Sequence, residues 1–500
     1  MLSERDANAG AEGALIRHGL LKLNPLLSRQ LFESNQAPRR ISPQTAASMK
    51  IMRFFLFLFL AVCVGPVPRA NAEAKLIGNC YVGTYRFADG SVIDIARSEG
   101  DTLRWRKFDG TTGVLHKRQN DSWPSTLGWT DRPDGHTVSF SNCSTGEIDF
   151  DGSKGRRIPF VVTDTVFEGR DGIKLAGRLV LPRSKAPVPI VVLVHGAEHE
   201  SARESYALQR LLPAEAVGAF VYDKRGTGGS VGKYTQDFDV LADDAVAAMR
   251  EAKRIAGARA SRIGYQGGSQ GGWVAPLAAT RAPVDFVIVC FGLAVSVIDE
   301  DQEEVALEMR LKGHSQEDIA KALEVAAAAE AIFESGFTKG FGRFDSLRAK
   351  YGNESWYKDL HGNYTHFLLP YSETELREKG KAYAFGTPFR FDPMPTLRTV
   401  KAPQLWILGE DDFEAPSAET SRRIKTLMAE GKPITLAVYP RAEHGMTEYE
   451  TRPDGTRVST RYSAGYFAMM RDFARSGRLS DRYGSSTITK PTANAFRTTV

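Results

Sequence analysis

Three stretches of this chain carry the residue types that acyl transfer requires. The sharpest is Gly267-Gly-Ser-Gln-Gly271, a serine held between glycines. Before it, Ile263 to Gln266 reads as a short buried strand. After it, Gln270 through Ala279 reads as a helix that opens on small residues. Strand, tight turn, serine, helix is the context that makes a G-x-S-x-G pattern a nucleophile elbow. Side chains at Gly267 and Gly271 would collide with the neighbouring strand and helix. Ser269 would then present its Oγ at the carboxyl edge of a sheet, at the positive end of a helix. A glycine-rich turn ahead of a packed helix looks the same in isolation, so the rest of the chain must supply a base, an acid and an oxyanion hole.

A base takes the hydroxyl proton, an acid orients the base, and two N–H donors meet the oxyanion. With this elbow the chain order is serine, acid, histidine. Beyond residue 400 the sole histidine is His444, in Arg441-Ala-Glu-His-Gly445, just after a predicted strand at Thr435 to Tyr439. It is the candidate base. The acid belongs after the preceding strand, Leu405 to Leu408, where Gly409-Glu-Asp-Asp-Phe-Glu-Ala-Pro416 clusters four carboxylates. Asp412 is the first choice and Asp411 the second, against the competing reading of a solvated acidic turn. The oxyanion donors are the N–H of Gln270 and that of Ala197, in the His195-Gly-Ala197 loop after a strand ending at Val194. His195 precedes the nucleophile and reads as a structural turn residue.

The elements that must position these groups predict an α/β fold. Phe160 to Val166 and Lys174 to Leu181 read as strands joined at Asp171-Gly172. Ile190-Val-Val-Leu-Val194 is a continuous apolar run, as expected of a strand buried on both faces. A helical stretch at Ser205 to Ala216, a strand at Ala219 to Tyr222 and a helix at Leu241 to Ala256 lead to the elbow. This alternation argues a mostly parallel sheet with helices on both faces. Past a strand at Phe286 to Phe291 it stops: Val305 to Phe333 is helical, and Gly336 to Pro395 is aromatic and turn-rich. It resumes with Leu405 to Leu408, a helix at Ser417 to Met428, the strand at Thr435 and a helix at Ala464 to Ala474.

The core is therefore expected in two parts, 159–298 and 396–476, with a cap inserted at 299–395 and a flexible tail at 477–500. Residues 73–158 read as a separate small all-β domain, a sandwich or half-barrel of short alternating strands with Asp89-Gly90 and Asp109-Gly110 turns. Trp105, Trp123 and Trp129 there are read as aromatic packing, with a ligand-lining surface as the alternative.

Composition narrows the class. A chain of 500 residues with 42% hydrophobic and 25% charged residues is long enough for two or three globular domains. The net charge of +5 resides entirely in residues 1–72, so the remainder is neutral and nucleic-acid binding is excluded as a reading. That leading segment has its own logic. Met49-Lys-Ile-Met-Arg53 is positive, Phe54 to Val64 is apolar, and Ala70-Asn-Ala72 offers a small-x-small cleavage site. This is the layout of a signal peptide over 49–72, too short to span a bilayer comfortably and leaving no stable membrane span once removed. Residues 1–48 are expected to be a non-native upstream extension, with translation starting at Met49 or Met52. An uncleaved anchor is the alternative. Secretion or a periplasmic location follows, and in that setting a bridge between Cys80 and Cys143 is plausible. Cys290 reads as a buried core residue.

Residues 160–476 resemble the α/β-hydrolase family, of the esterase, dienelactone hydrolase and serine aminopeptidase-like kind. The carriers are Leu193-Val-His-Gly196, Tyr222-Asp-Lys-Arg-Gly-Thr-Gly-Gly-Ser230, Gly267 to Pro276, Leu405-Trp-Ile-Leu-Gly-Glu-Asp-Asp412 and Glu443-His-Gly445. The resemblance implies a cap domain at 299–395. Glu198-His199 depart from it, standing where such proteins often carry a small residue. Asp223 and Arg225 resemble a structural turn and receive no catalytic role. The expected function is an exported serine hydrolase that cleaves a small carboxylic ester through an acyl-enzyme on Ser269, with no cofactor and no metal. A serine peptidase using the same triad is the alternative, for which Glu198, Glu303 or Glu304 would bind a substrate amine. A non-catalytic binding protein on a hydrolase scaffold is the second alternative. The aromatic cap points to an apolar acyl or aryl group. The oligomeric state is not legible.

Overall fold

The computed structural model describes residues 80–119, 121–141 and 145–491. The expected upstream extension, the signal peptide and Cys143 lie outside them. Cys80 is in a disulfide, and Cys290 is a buried free thiol. Among the described residues no helix is long and apolar enough to cross a membrane.

The first strands are β1 Gly83–Phe87, β2 Val92–Arg97, β3 Leu103–Lys107, β4 Thr112–Leu115, β5 Ser122–Leu127, β6 Pro133–Phe140, β7 Glu147–Phe150 and β8 Ser153–Arg157. Each pairs antiparallel with the next, and β8 returns to β1 with Tyr85 opposite Arg157, so the expected sandwich or half-barrel is a closed barrel. One glycine shows why closure works. A Cβ at Gly155 would come within 2.7 Å of the Phe87 ring, so only glycine lets β8 pass over that inward-facing side chain. Tyr85, Ile95, Trp105, Trp123, Ile148 and Phe150 fill the interior, as an eight-stranded barrel requires. Trp105 and Trp123 are thus packing residues. Trp129 is 39% exposed and lies under the Arg104 guanidinium, 4.0 Å from ring centroid to Cζ.

The remaining strands in chain order are β9 Phe160–Glu168, β10 Lys174–Pro182, β11 Val188–Val194, β12 Gly218–Tyr222, β13 Ala260–Gly268, β14 Phe286–Cys290, β15 Gln404–Gly409, β16 Ile434–Tyr439, β17 Ala442–Glu443, β18 Thr447–Thr451, β19 Arg457–Tyr462 and β20 Thr487–Thr489. Nine of them form one sheet, ordered β20-β16-β15-β14-β13-β11-β12-β10-β9. From β16 to β12 the pairs are parallel, and the antiparallel pairs fall at the two edges. All seven residues of β11 are buried. Val192, Val194, Tyr265 and Val289 face the helices Phe238–Ala256, Gly271–Arg281 and Ser417–Ala429. Val191, Leu193, Ile288 and Ile407 face the helices Leu208–Ala214 and Tyr466–Ser476. Helices on both faces are what a near-continuously apolar parallel strand demands.

The connection after β11 leads to β12 on one side of it, and the next crossover lands β13 on the other side. At such a reversal the loops beyond the strand ends part, and a ligand crevice opens. Here those loops are His195-Gly196-Ala197 and the elbow at Ser269.

Two expectations change in detail. The helical stretch expected at Val305 to Phe333 is two helices, Val297–Leu311 and Gln316–Glu334. They are separated at Gly313, which sits at φ +80°, and the second is capped by Ser315. Of the aromatic side chains in this region, Trp356 is 1% exposed, Tyr357, Tyr364, Phe367, Tyr371 and Phe389 are half-buried, and Phe333 packs edge-on to Tyr364 and Phe337. The tail expected to be flexible from residue 477 instead carries an edge strand. Thr487 to Thr489 pair with β16, and the Tyr483 hydroxyl donates to Asp472 Oδ2 at 2.7 Å. Polar composition hid this edge strand, because an edge needs only backbone pairing and one buried ring.

Candidate active site

The elbow is built by contacts that exclude side chains. A Cβ at Gly267 would lie 2.1 Å from the Gly271 carbonyl oxygen, and one at Gly271 would lie 2.9 Å from the carbonyls of Val194 and His195. The helix Gly271–Arg281 can therefore start directly against the ends of β13 and β11. Ser269 sits at φ +51°, a left-handed conformation that costs a non-glycine residue energy and recurs at functional turns. Its N–H donates to the Cys290 carbonyl at 3.2 Å, and its own carbonyl accepts from the Gly272 N–H at 2.7 Å. These bonds hold the strained residue from both sides.

Asp412 and His444 come from the loops after β15 and β16. Asp412 is 1% exposed, and its Oδ2 meets His444 Nδ1 at 3.0 Å while Oδ1 accepts from the Ala415 N–H at 2.8 Å. Asp411 points elsewhere: its Oδ2 accepts from the Tyr449 hydroxyl at 2.7 Å. The Phe291 ring stands edge-on to the imidazole, with centroids 4.9 Å apart. The same ring bounds the elbow, because a Cβ at Gly268 would come within 2.5 Å of it. One side chain therefore lies beside both the imidazole and the backbone just before Ser269.

The imidazole sits in a negative environment. Burial alone would lower its pKa, but Glu414 and Asp412, the latter hydrogen-bonded, together with Glu300 outweigh burial and push it up to about 10. Glu414 Oε1 is 3.7 Å from Nε2. Glu300, on the cap helix Val297–Leu311, is 8% exposed, and burial together with Glu414 and Glu304 pushes its carboxyl well above the usual range.

The two expected oxyanion donors belong to different loops. Gln270, in the elbow after β13, is 4% exposed, and Ala197, after β11, lies at the surface. His195 is 3% exposed, and its Nε2 lies 3.1 Å from the Lys224 N–H and 3.0 Å from the Tyr222 carbonyl. It braces the loop, as expected. Asp223 accepts from the Ser201 hydroxyl and the Gly229 N–H, and Arg225 makes a double hydrogen bond with Asp244, so both are turn-forming residues.

The three candidate amine-binding carboxylates part company. Burial would raise Glu198, but His195 and Lys224 hold it well below the usual carboxylate range, and it accepts from the Tyr206 hydroxyl. Glu303 faces Glu419, Asp299 and Arg423, and burial first and then those carboxylates push it to about 7. Glu304 is 3% exposed and close enough to Glu414 to feel its charge. Glu300 and Glu414 were missed. The signal was faint: Glu300 stands one helical turn before Glu304, and Glu414 two residues past the chosen acid. Among the described residues one group has the ligand chemistry for a cation, namely Glu304, Glu308 and His361 in the cap, with ligand atoms all within 4.8 Å of one another. Its members already meet His361 and the Asn363 N–H.

Residues 185–331 match the family model described as serine aminopeptidase, S33. The fold is that of the α/β hydrolases, and the family match falls on the segment that carries the elbow. Solved structures similar to it include an esterase of Pyrococcus furiosus, at 17% identity over 57% of this chain and 83% of that one, with a TM-score of 0.37. A hypothetical protein of Pseudomonas aeruginosa is 19% identical over 63% of this chain and 93% of its own, TM-score 0.36. A thermophilic esterase of Thermogutta terrifontis is 21% identical over 56% and 91%, TM-score 0.33. No curated protein sequence matches the chain.

Proposed function

We propose that this protein is an exported serine hydrolase that cleaves a carboxylic ester through an acyl-enzyme on Ser269. The observation that carries the reading is the Asp412–His444 pair at 3.0 Å, with the Phe291 ring lying beside both the imidazole and Gly268, the residue before Ser269. His444 Nε2 takes the Ser269 hydroxyl proton as Oγ attacks the acyl carbon. The N–H groups of Gln270 and Ala197 receive the oxyanion. The imidazolium, held by Asp412, returns the proton to the leaving alkoxide, and water repeats the sequence in reverse. Support for export is the signal-like segment ending near Ala72 and the disulfide at Cys80.

A second reading is favoured by one feature. Glu414 and Asp412 place negative charge beside both ring nitrogens of His444, and a substrate bearing an ammonium group would neutralise the exposed one. Cleavage of an aminoacyl bond by the same triad fits that charge.

The test is fluorophosphonate labelling with mapping of the tagged peptide, followed by p-nitrophenyl acetate, p-nitrophenyl butyrate and aminoacyl p-nitroanilides on wild type and Ser269→Ala. Labelling at Ser269 and loss of turnover by about three orders or more in the variant support a serine hydrolase. Equal rates in the two proteins leave a binding protein on a hydrolase scaffold. Faster anilide than ester turnover selects the peptidase.

A further inference from the structure

Lys224 follows β12 and is 2% exposed. A buried ammonium is costly unless its protons are met. Here they are met at two places that the reaction uses. Nζ donates to the Gly196 carbonyl at 2.7 Å and to Gln270 Oε1 at 3.3 Å. It also lies 4.5 Å from the centroid of the Tyr234 ring, on whose face a cation is attracted.

We propose that Lys224 is a positioning residue for the oxyanion hole, tying its two halves together and sharpening one of its donors. The inference rests on the serine-hydrolase reading above. Its logic lies in the peptide plane. The Gly196 carbonyl and the Ala197 N–H belong to one planar unit and point in opposite directions. A cation on the oxygen fixes the plane and withdraws electron density from the nitrogen, so the Ala197 N–H becomes a stronger donor aimed away from Lys224. The flanking groups are pinned as well. The Gly196 N–H donates to Glu198 Oε1 at 3.3 Å, and the Ala197 carbonyl accepts from the Tyr234 hydroxyl at 2.5 Å. Through Gln270 Oε1 the same ammonium reaches the residue whose backbone N–H is the other donor. The elbow and the loop after β11 belong to different crossovers, and Lys224 is the polar bridge between them.

A preorganised donor acts on the tetrahedral intermediate more than on the bound ester, so its loss appears in kcat rather than KM. The experiment compares wild type, Lys224→Met, Lys224→Arg and Gln270→Ala with p-nitrophenyl butyrate, with the rate of fluorophosphonate labelling at Ser269, and with thermal melting. Lys224→Met is expected to lower kcat about 10- to 100-fold with KM changed less than about threefold, and to slow labelling by a similar factor. Lys224→Arg is expected to recover part of the rate, because it restores a cation at the Gly196 carbonyl. Gln270→Ala keeps the backbone donor, cuts the tether and is expected to cost kcat several-fold. A Lys224→Met rate within about twofold of wild type at equal folded fraction overturns the proposal, as does an equal rise in KM. Should Lys224→Met fail to fold, Gln270→Ala decides, and an unchanged kcat there overturns the proposal. Absence of labelling at Ser269 in the wild type is a different result, for it removes the serine-hydrolase reading itself.

Discussion

Phe291 meets His444 edge-on, with ring centroids 4.9 Å apart and planes at 71°. Phe291 is the residue that follows β14, the strand lying between β13, which delivers Ser269, and β15, which leads to Asp412. Its N–H donates to the Ile407 carbonyl of β15 at 2.8 Å, so the ring is anchored to the sheet edge. A wall of this kind keeps water from one flank of the imidazole. Phe291→Ala is expected to lower kcat for p-nitrophenyl esters about tenfold or more, because an imidazole misplaced by about 1 Å loses rate steeply. A variant with unchanged kcat and unchanged melting temperature would mean that the imidazole is held by Asp412 alone.

Asp412→Asn should lower kcat by about three to four orders of magnitude, since the amide no longer fixes the imidazole tautomer or stabilises its cation. Asp411→Asn, which affects only the Tyr449 contact, should cost less than about tenfold. Steady-state kinetics of the two variants give a direct comparison, and a larger loss at 411 would reverse the assignment.

The pH profile carries the signature of the acidic surroundings. With the His444 pKa near 10 in the free protein, kcat/KM for a neutral ester should climb through the alkaline range as the base loses its proton. Glu414→Gln removes a raising charge, so the rising limb should move to lower pH. Glu414 is 53% exposed, so added salt should move the limb the same way, by a smaller amount. The linkage to stability has the matching sign. A folded pKa above the unfolded value near 6.5 stabilises the fold at pH below the unfolded value, and that contribution fades as pH rises through about 10. A limb centred near 6.5 in wild type would show that the carboxylates do not act on His444.

Asp94 is fully buried in the barrel strand β2 and receives a double hydrogen bond from Arg210, at 2.6 and 3.1 Å, on the helix Leu208–Ala214. Arg106 Nη1 lies 3.8 Å from the same carboxylate, so losing Arg210 weakens rather than removes its pairing and should cost part of the about 3–5 kcal/mol typical of a broken buried pair. Arg210→Ala should therefore lower the denaturant midpoint well beyond the effect of an exposed arginine substitution. Asp94→Asn with Arg210→Met should recover most of the loss. Equal midpoints for wild type and Arg210→Ala would show that the barrel is not tied to the sheet at this point.

Removal of residues 477–500 should lower the melting temperature, because it strips β20 from the edge strand β16 and takes Tyr483, Leu479 and Ile488 out of the apolar cluster that contains Tyr439 and Tyr466. An unchanged transition would mean that the edge strand adds no net stability.

Local chemistry made much of this legible in the amino-acid order alone. The glycines around Ser269, the apolar run ending at Val194 and the lone histidine past residue 400 announce an elbow, a buried parallel strand and a base. Each is a statement about neighbours within about ten residues or about chain order. The alternation of strand and helix likewise declared the sheet. What the chain order left open was decided by distance in space. Choosing Asp412 over Asp411 as the partner of His444 needs the direction in which two adjacent side chains leave one loop. Barrel closure depends on β8 meeting β1 across the width of the domain. The charge around His444 comes from Glu300 on the cap and Glu414 on the sheet edge, and Lys224 joins carbonyls from two crossovers. Electrostatic and hydrogen-bond energies depend on separations of a few ångströms between residues tens to hundreds of positions apart, and only the folded chain sets those separations.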